Sequence, residues 1–409
     1  LIMIFFVGYT VFSSSPFAGC IELATIGCST STILPFAELV TSNTGRGPNP
    51  LLQNHPLMAI HPPMLYIGYV GMTMPFVAAT SRLYSKKEDS NSWIEVAEKT
   101  TYIPWLFLTI GITLGAAWSY EVLGWGGYWA WDPVENVSFI PWLLATAFLH
   151  SAKIQKTQNT LLNWNYILVG LMFLSTLFGT FITRSGVLIS VHAFSNGNIG
   201  TYLLFGMLIF GLIFIAIGSK NIEYFSKSKK IDNWFGKSGF FVYNNIFLFS
   251  SALVIFIGTI FPLIYETLYS RQITVGRTYY DILVGPLLLI LLGLMIFSVK
   301  LSIKNLNIQK WLNDNVVLIN IALMVTIFTL FLLNNSYILI VTVSFSFLLI
   351  FTTVSNFYKN FRVPKGSSSY WTGQIAHLGI GIFALGIILN VSQSYSTEKE
   401  LSSFEEFNF

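Results

Sequence analysis

Long apolar runs separated by short polar segments dominate the chain, and their lengths match helices that cross a bilayer. A hydrocarbon core about 30 Å thick needs roughly 20 apolar residues at about 1.5 Å rise each. On that basis 61–81, 102–118, 137–152, 162–183, 199–218, 245–265, 282–299, 316–333, 337–357 and 370–391 are ten spans, preceded by a partial one near 1–13. The short 137–152 window extends into its polar flank, and a tight Asn334-Asn335-Ser336 turn makes 316–357 a helical hairpin. The pattern predicts an all-α fold: a polytopic membrane helix bundle, about ten full transmembrane helices plus a partial N-terminal one, with a Trp-rich outer loop.

Charge tests this map. Loops 82–101, 153–161, 219–244, 300–315 and 358–369 hold 17 of the 22 Lys and Arg; Arg46, Arg184, Arg271, Arg277 and Lys399 are the rest. Lys and Arg resist translocation, so the first set of loops faces inside and the others face outside. One missed or invented span would break the alternation. Composition agrees: 54% of the 409 residues are hydrophobic and 10% charged, against about 25% charged in soluble domains. Three regions follow: 1–60, a partial first helix and outer loop; 61–218, a core; and 219–409, C-terminal transmembrane helices. The chain starts at Leu1 inside an apolar run, as a fragment or processed piece would.

One outer loop, 119–136, carries most of the candidate chemistry. It reads Gly124-Trp125-Gly126-Gly127-Tyr128-Trp129-Ala130-Trp131-Asp132-Pro133-Val134-Glu135-Asn136, with no Lys or Arg from Ala116 to Ala152. Interfacial aromatic belts usually place such residues singly at helix ends. A dense aromatic shelf with Gly-Gly and carboxylates suits a large planar ligand such as a porphyrin. Asp132 and Glu135 are placed to orient a His or to hold the loop through backbone donors. Asp132 before Pro133 equally fits a helix N-cap.

The five histidines fall mostly into two layers. His61 and His192 lie at the outer face, on either side of the Trp-rich loop in sequence. His150 ends its span near the inner face, and His377 sits about 10 Å into a span that starts inside. Two imidazoles at one depth on different helices are what a six-coordinate haem requires, and ionisable groups within membranes are rare enough to suggest function. Gly373, Ala376, Gly379 and Gly381 surround His377 with small residues, which also serve plain helix packing. His55 reads as a loop residue and Glu121 as a solvated one. Arg184 either pairs with a haem propionate or snorkels to the interface. Cys20 and Cys28 are a disulfide or two idle thiols; their spacing is neither a redox nor a metal motif. No phosphate loop, catalytic triad or zinc spacing is present, and the basic residues are too dispersed to support nucleic-acid binding.

At Trp125 to Asn136, His61-Pro62-Pro63, Arg184-Ser185-Gly186 to His192-Ala193-Phe194, and Ala376-His377-Leu378-Gly379, the chain resembles the CcmF family of cytochrome c maturation, among the haem-handling proteins with a WWD domain. The resemblance runs from about residue 45 to 395. It implies a haem lyase subunit that receives haem on the outer side from a CcmE-type chaperone, held by Trp125, Trp129, Trp131 and Asp132 with His61 and His192. It further implies a bis-His haem b on His150 and His377, which reduces the arriving haem with electrons from quinol. CcmH-type and CcmI-type partners would deliver apocytochrome c, whose thiols add to the haem vinyl groups. The membrane would be the bacterial inner membrane or mitochondrial inner membrane, with the WWD loop facing the periplasm or intermembrane space. Family members carry further spans before Leu1 and an outer region after Tyr395, so a truncated chain or a split gene is expected. The alternatives are a transporter of haem or another amphipathic solute, and a scaffold for partner subunits. Inverted repeats would favour transport, but no convincing repeat is seen, and acidic residues within the spans are nearly absent.

Overall fold

The apolar windows fold as helices. The computed structural model describes residues 1–12, 19–23, 28–32, 54–85, 92–122, 127–188, 199–231, 233–298, 308–332, 337–362 and 368–393. The elements are α1 (Ile2–Phe12), β1 (Gly19–Leu23), β2 (Cys28–Thr32), α2 (Leu57–Gly71), α3 (Thr73–Ser85), α4 (Ser92–Val122), α5 (Pro133–Gln158) and α6 (Leu162–Ser185). There follow α7 (Ile199–Lys220), α8 (Ile222–Ser226), α9 (Lys237–Tyr269), α10 (Arg277–Ser298), α11 (Ile308–Leu332), α12 (Tyr337–Arg362) and α13 (Ser368–Gln393). Ten helical stretches among the described residues are long and apolar enough to span a membrane, each overlapping one of the ten windows.

Three details depart from the sequence reading. The first span is two helices, α2 and α3, broken at Met72, whose N–H reaches back to Gly68 and Tyr69 carbonyls at 3.3 Å each. The α4 span begins ten residues before the predicted 102, so Glu95 and Glu98 are helical. Charge alone placed them in a loop; the Lys156 ammonium pairs with buried Glu98 and removes that cost. Glu121, read as a loop residue, is exposed near the end of α4. The first loop also holds an antiparallel β1–β2 pair, in which Cys20 faces Ser31 and Cys28 faces Leu23 along the register. The Asn334-Asn335-Ser336 turn lies outside the described residues, although α11 and α12 on either side pack together.

The chain forms two compact units. The first comprises residues 1–118, 129–230 and 248–284; the second comprises 119–128, 231–247 and 285–409. In the first, α5 packs along α6, α6 along α7, and α3 against both α6 and α7. The α5 and α6 windows are 72% buried, against 17–33% in the other spans, so these two helices are its centre. Lipid tails are as apolar as Leu, so close packing and polar pairs must hold helices together here. Phe76 stacks on Phe173 at 4.3 Å, Tyr166 stacks on Phe214 at 4.1 Å, and the Tyr166 hydroxyl donates to the Phe214 carbonyl. Between α5 and α6, buried Ser151 donates to Asn165, which donates to Gln155 at 2.8 Å. In the second unit α11, α12 and α13 pack in succession, with Leu292, Ile296, Trp311 and Leu349 at the core.

Candidate functional site

The close contact of α2 with α4 sets the position of His61. Gly111 and Gly115, four residues apart on α4, open a groove without side chains, an arrangement that lets helices approach closely. Leu65 fills the groove at Gly111, and the His61 ring lies over Gly115. A Cβ on Gly115 would stand 2.6 Å from His61 Cε1, so any larger residue there must displace the ring. His61 Nδ1 lies 2.8 Å from the Gly111 carbonyl. A carbonyl only accepts, so Nδ1 carries the proton and the lone pair of the neutral ring sits on Nε2. That is the tautomer an Nε2-ligated metal needs, oriented by a backbone acceptor.

His150 and His377 share this chemistry. Their Nδ1–H groups donate to Thr146 and Gly373 carbonyls, both at 2.7 Å and one helical turn back. Nothing lies within 4 Å of a Cβ built on Gly373 or Gly379, whereas one on Gly381 meets Ile350 at 3.0 Å. The glycine beside the His377 turn therefore leaves space rather than seating a helix. His55 has the opposite arrangement: its Nδ1 accepts the Leu57 N–H at 3.2 Å, so in the neutral ring Nε2 bears the proton. His55 stacks on Trp118 at 6.0 Å, and His61 meets the same indole edge-on at 5.7 Å.

The described part of the Trp-rich loop is fixed by its own carboxylates and by α9 and α10. Asp132 accepts the Val134 N–H at 3.0 Å, and Glu135 accepts from the Ala130 and Asp132 backbone at 2.9 and 3.2 Å. This capping box starts α5 at Pro133. Asp132 and Glu135 thus fold the loop through backbone donors, one of the roles the sequence allowed. Trp131 is left-handed, φ 58°, a strained backbone for a bulky residue. Asn136 holds it by donating to its carbonyl at 3.0 Å and to Thr259 at 3.2 Å. The Trp131 indole stacks on Tyr280 at 4.8 Å and donates to Asp281 at 3.0 Å. Trp129 meets Trp131 and Phe139 edge-on at 6.0 and 5.7 Å. Among the described residues, the indole N–H groups of Trp118 and Trp129 are buried without an acceptor. Each such orphan costs about 1–3 kcal/mol, which an acceptor on a bound ligand would relieve.

Arg184, at the end of α6, donates to the Tyr66 hydroxyl at 3.0 Å, which brings a cation beside the helix that carries His61. Trp125 and His192 lie outside the described residues. Gly115, Gly111, Tyr280, Asp281 and Asn136 were not singled out from the sequence. The two glycines had a legible signal, the small-x-x-x-small spacing of Gly111-Ile112-Thr113-Leu114-Gly115. Tyr280 and Asp281 lie about 150 residues from Trp131 and carried none.

Residues 1–189 match the family model of the cytochrome C assembly protein. The chain is 33% identical over 389 residues to the cytochrome c-type biogenesis protein CcmF of Pseudomonas fluorescens, covering 91% of this chain and 58% of that protein. It is 32% identical over 374 residues to CcmF of Escherichia coli, covering 87% of this chain and 55% of the relative. A solved structure of the cytochrome c heme lyase CcmF superposes with a TM-score of 0.67 at 28% identity, covering 95% of this chain and 55% of the other. The chain thus spans somewhat more than half the length of these relatives. With its ten apolar spans in the same fold and its Trp-rich loop in place, this chain belongs to the CcmF family of multi-pass membrane proteins of cytochrome c-type biogenesis.

Proposed function

We propose that this chain is a haem lyase subunit that holds haem at two places in the membrane. At the outer face, facing the periplasm or intermembrane space, His61 and His192 would hold the haem iron and Trp125, Trp129 and Trp131 would form the shelf. A second haem, of b type, would take its imidazoles from His150 and His377. The observation that carries this reading is the preset tautomer of His61, wedged over Gly115 and protonated toward Gly111. The buried indole donors of Trp118 and Trp129 suit the anionic edge of a porphyrin, and Arg184 stands ready for a propionate.

Haem, when bound, supplies the iron redox chemistry and the vinyl groups to which cysteine thiols add. The chain supplies ligands, orientation and a dry surface. His61 enters ligation without a tautomer change, and the capping box keeps the shelf in one conformation. In this reading haem comes from a CcmE-type chaperone, CcmH-type and CcmI-type proteins present apocytochrome c, and quinol is the electron source.

The test is optical. Pyridine haemochrome and reduced-minus-oxidised spectra of purified wild type should show b-type haem. His150→Ala or His377→Ala should abolish that signal while leaving capture of chaperone-borne haem, and His61→Ala should do the reverse. A wild-type protein without haem removes the reading, and joint loss of both signals in every variant removes the two-site form of it.

A further inference from the structure

Between His61 and His150, α4 and α5 are joined by a closed ring of hydrogen bonds around two tryptophans. The Trp105 indole N–H donates to Thr146 Oγ1 at 2.8 Å, and that hydroxyl donates to the Trp142 carbonyl at 2.8 Å. The Trp142 N–H donates to Thr109 Oγ1 at 2.7 Å, and that hydroxyl donates to the Trp105 carbonyl at 2.8 Å. Each threonine therefore serves both helices, and the two indoles lie stacked, centroids 6.2 Å apart and planes 18° from parallel. Lipid-facing helix packing needs none of this matching.

The ring is connected at both ends. Inward, the backbone carbonyl of Thr146 accepts the Nδ1–H of His150. Outward, Thr109 lies two residues before Gly111, whose carbonyl accepts the Nδ1–H of His61. A second outward branch is aromatic: Trp142 stacks on Phe139 at 5.5 Å, and Phe139 meets Trp129 of the shelf at 5.7 Å. Along α5 the step from His150 to Trp142 is about 12 Å of helix rise. Polarisable rings in van der Waals contact and hydrogen bonds couple donor and acceptor electronically better than aliphatic contacts do.

We propose that the stacked Trp105–Trp142 pair is the electron path between the two haem sites. The inference rests on the two-haem reading above. One electron leaves ferrous haem at His150, which becomes ferric, and arrives at ferric haem at His61, which becomes ferrous. No proton moves and no bond breaks; the indoles are a bridge and not oxidised intermediates.

The experiment uses the purified chain carrying only its inner haem, reduced stoichiometrically and mixed rapidly with ferric haem for the outer site. Reoxidation of the inner haem band is followed in wild type, Trp105→Leu and Trp142→Leu. The expected result is at least tenfold slower reoxidation in both variants, with unchanged haemochrome content and unchanged band position. In haem-free protein the near-ultraviolet circular dichroism of the stacked indoles should be lost in the same variants. If a leucine variant does not fold, Trp105→Phe keeps an aromatic ring and removes one hydrogen bond, and Thr146→Val keeps the bulk and removes two; both should slow the transfer measurably. Unchanged rates with both haems bound would overturn the path. Absence of haem from wild type, seen before any mixing, would instead overturn the reading it rests on.

Discussion

His61 occupies the space that a side chain on Gly115 would need: a Cβ there would lie 2.6 Å from Cε1 and 3.1 Å from Nδ1 of the imidazole. The ring is held by the Gly111 carbonyl on one edge and has Trp118 beside it, so it cannot swing away without losing a half-buried hydrogen bond. Gly115→Ala should therefore displace the imidazole and lower haem capture at the outer face by about tenfold, roughly 1.4 kcal/mol. Haem absorbance attributed to His150 should not change. Titration with ferric haem, followed at the Soret band, checks this. Gly111→Ala meets the Leu65 side chain at 2.7 Å and its backbone N at 3.0 Å, so it should push α2 from α4 and weaken capture as well.

The shelf tryptophan depends on α10. Tyr280→Leu removes a near-parallel aromatic pair, worth about 0.5–1.5 kcal/mol beyond its buried area, and leaves the Trp131 indole with its bond to Asp281 and the edge contact of Trp129. Outer-site haem affinity should fall about three- to tenfold in Tyr280→Leu. Asp281→Asn keeps an acceptor for the indole and should change affinity little. Equal loss in both variants would argue against stacking as the main restraint.

Glu135 should behave as a loop-holding residue. Glu135→Ala removes the acceptor for two backbone N–H groups and should cost about 1 kcal/mol at the helix start. The expected signs are faster proteolysis within 119–136 and weaker haem capture. Glu135→Gln, which keeps one carbonyl acceptor, should fall between Ala and wild type in both assays.

At the start of α4, Lys156→Met leaves the buried Glu98 carboxylate, among the described residues, with the Tyr102 hydroxyl at 3.1 Å. Breaking a buried pair from one side costs about 3–5 kcal/mol. The Lys156 side chain is 35% exposed, so solvent shielding reduces the loss to roughly 2–3 kcal/mol. Thermal denaturation in detergent should show a lowered midpoint, and the double variant Glu98→Gln with Lys156→Met should recover most of it. No recovery would mean the pair does not hold α4 to α5.

How much was legible depended on the range of each interaction. The spans were legible because hydropathy and Lys/Arg placement act residue by residue, and Asp132-Pro133-Val134-Glu135 announced its cap because all four positions are local. The Met72 break has a local mark in Pro75, which has no N–H for the Gly71 carbonyl, but hydropathy alone does not read it. The N-terminal extension of α4 was hidden because Glu98 reads as a loop residue until its Lys156 partner is known. The sequence separates His55, read as a loop residue, from His61, read as a ligand, but not the opposite hydrogen-bonding roles of their Nδ1 atoms.

Taken alone, the order of residues determined a many-span helical membrane protein, where its spans lie and its family likeness, and supplied the residues proposed for haem. Those properties follow from composition and short-range pattern, which every neighbour along the chain reports. Only the folded chain decided that Gly115 seats His61, that Tyr280 and Asp281 orient Trp131, and that Trp105 and Trp142 join through two threonines. Each of those depends on the approach and rotation of helices far apart in sequence, which packing sets and hydropathy does not encode.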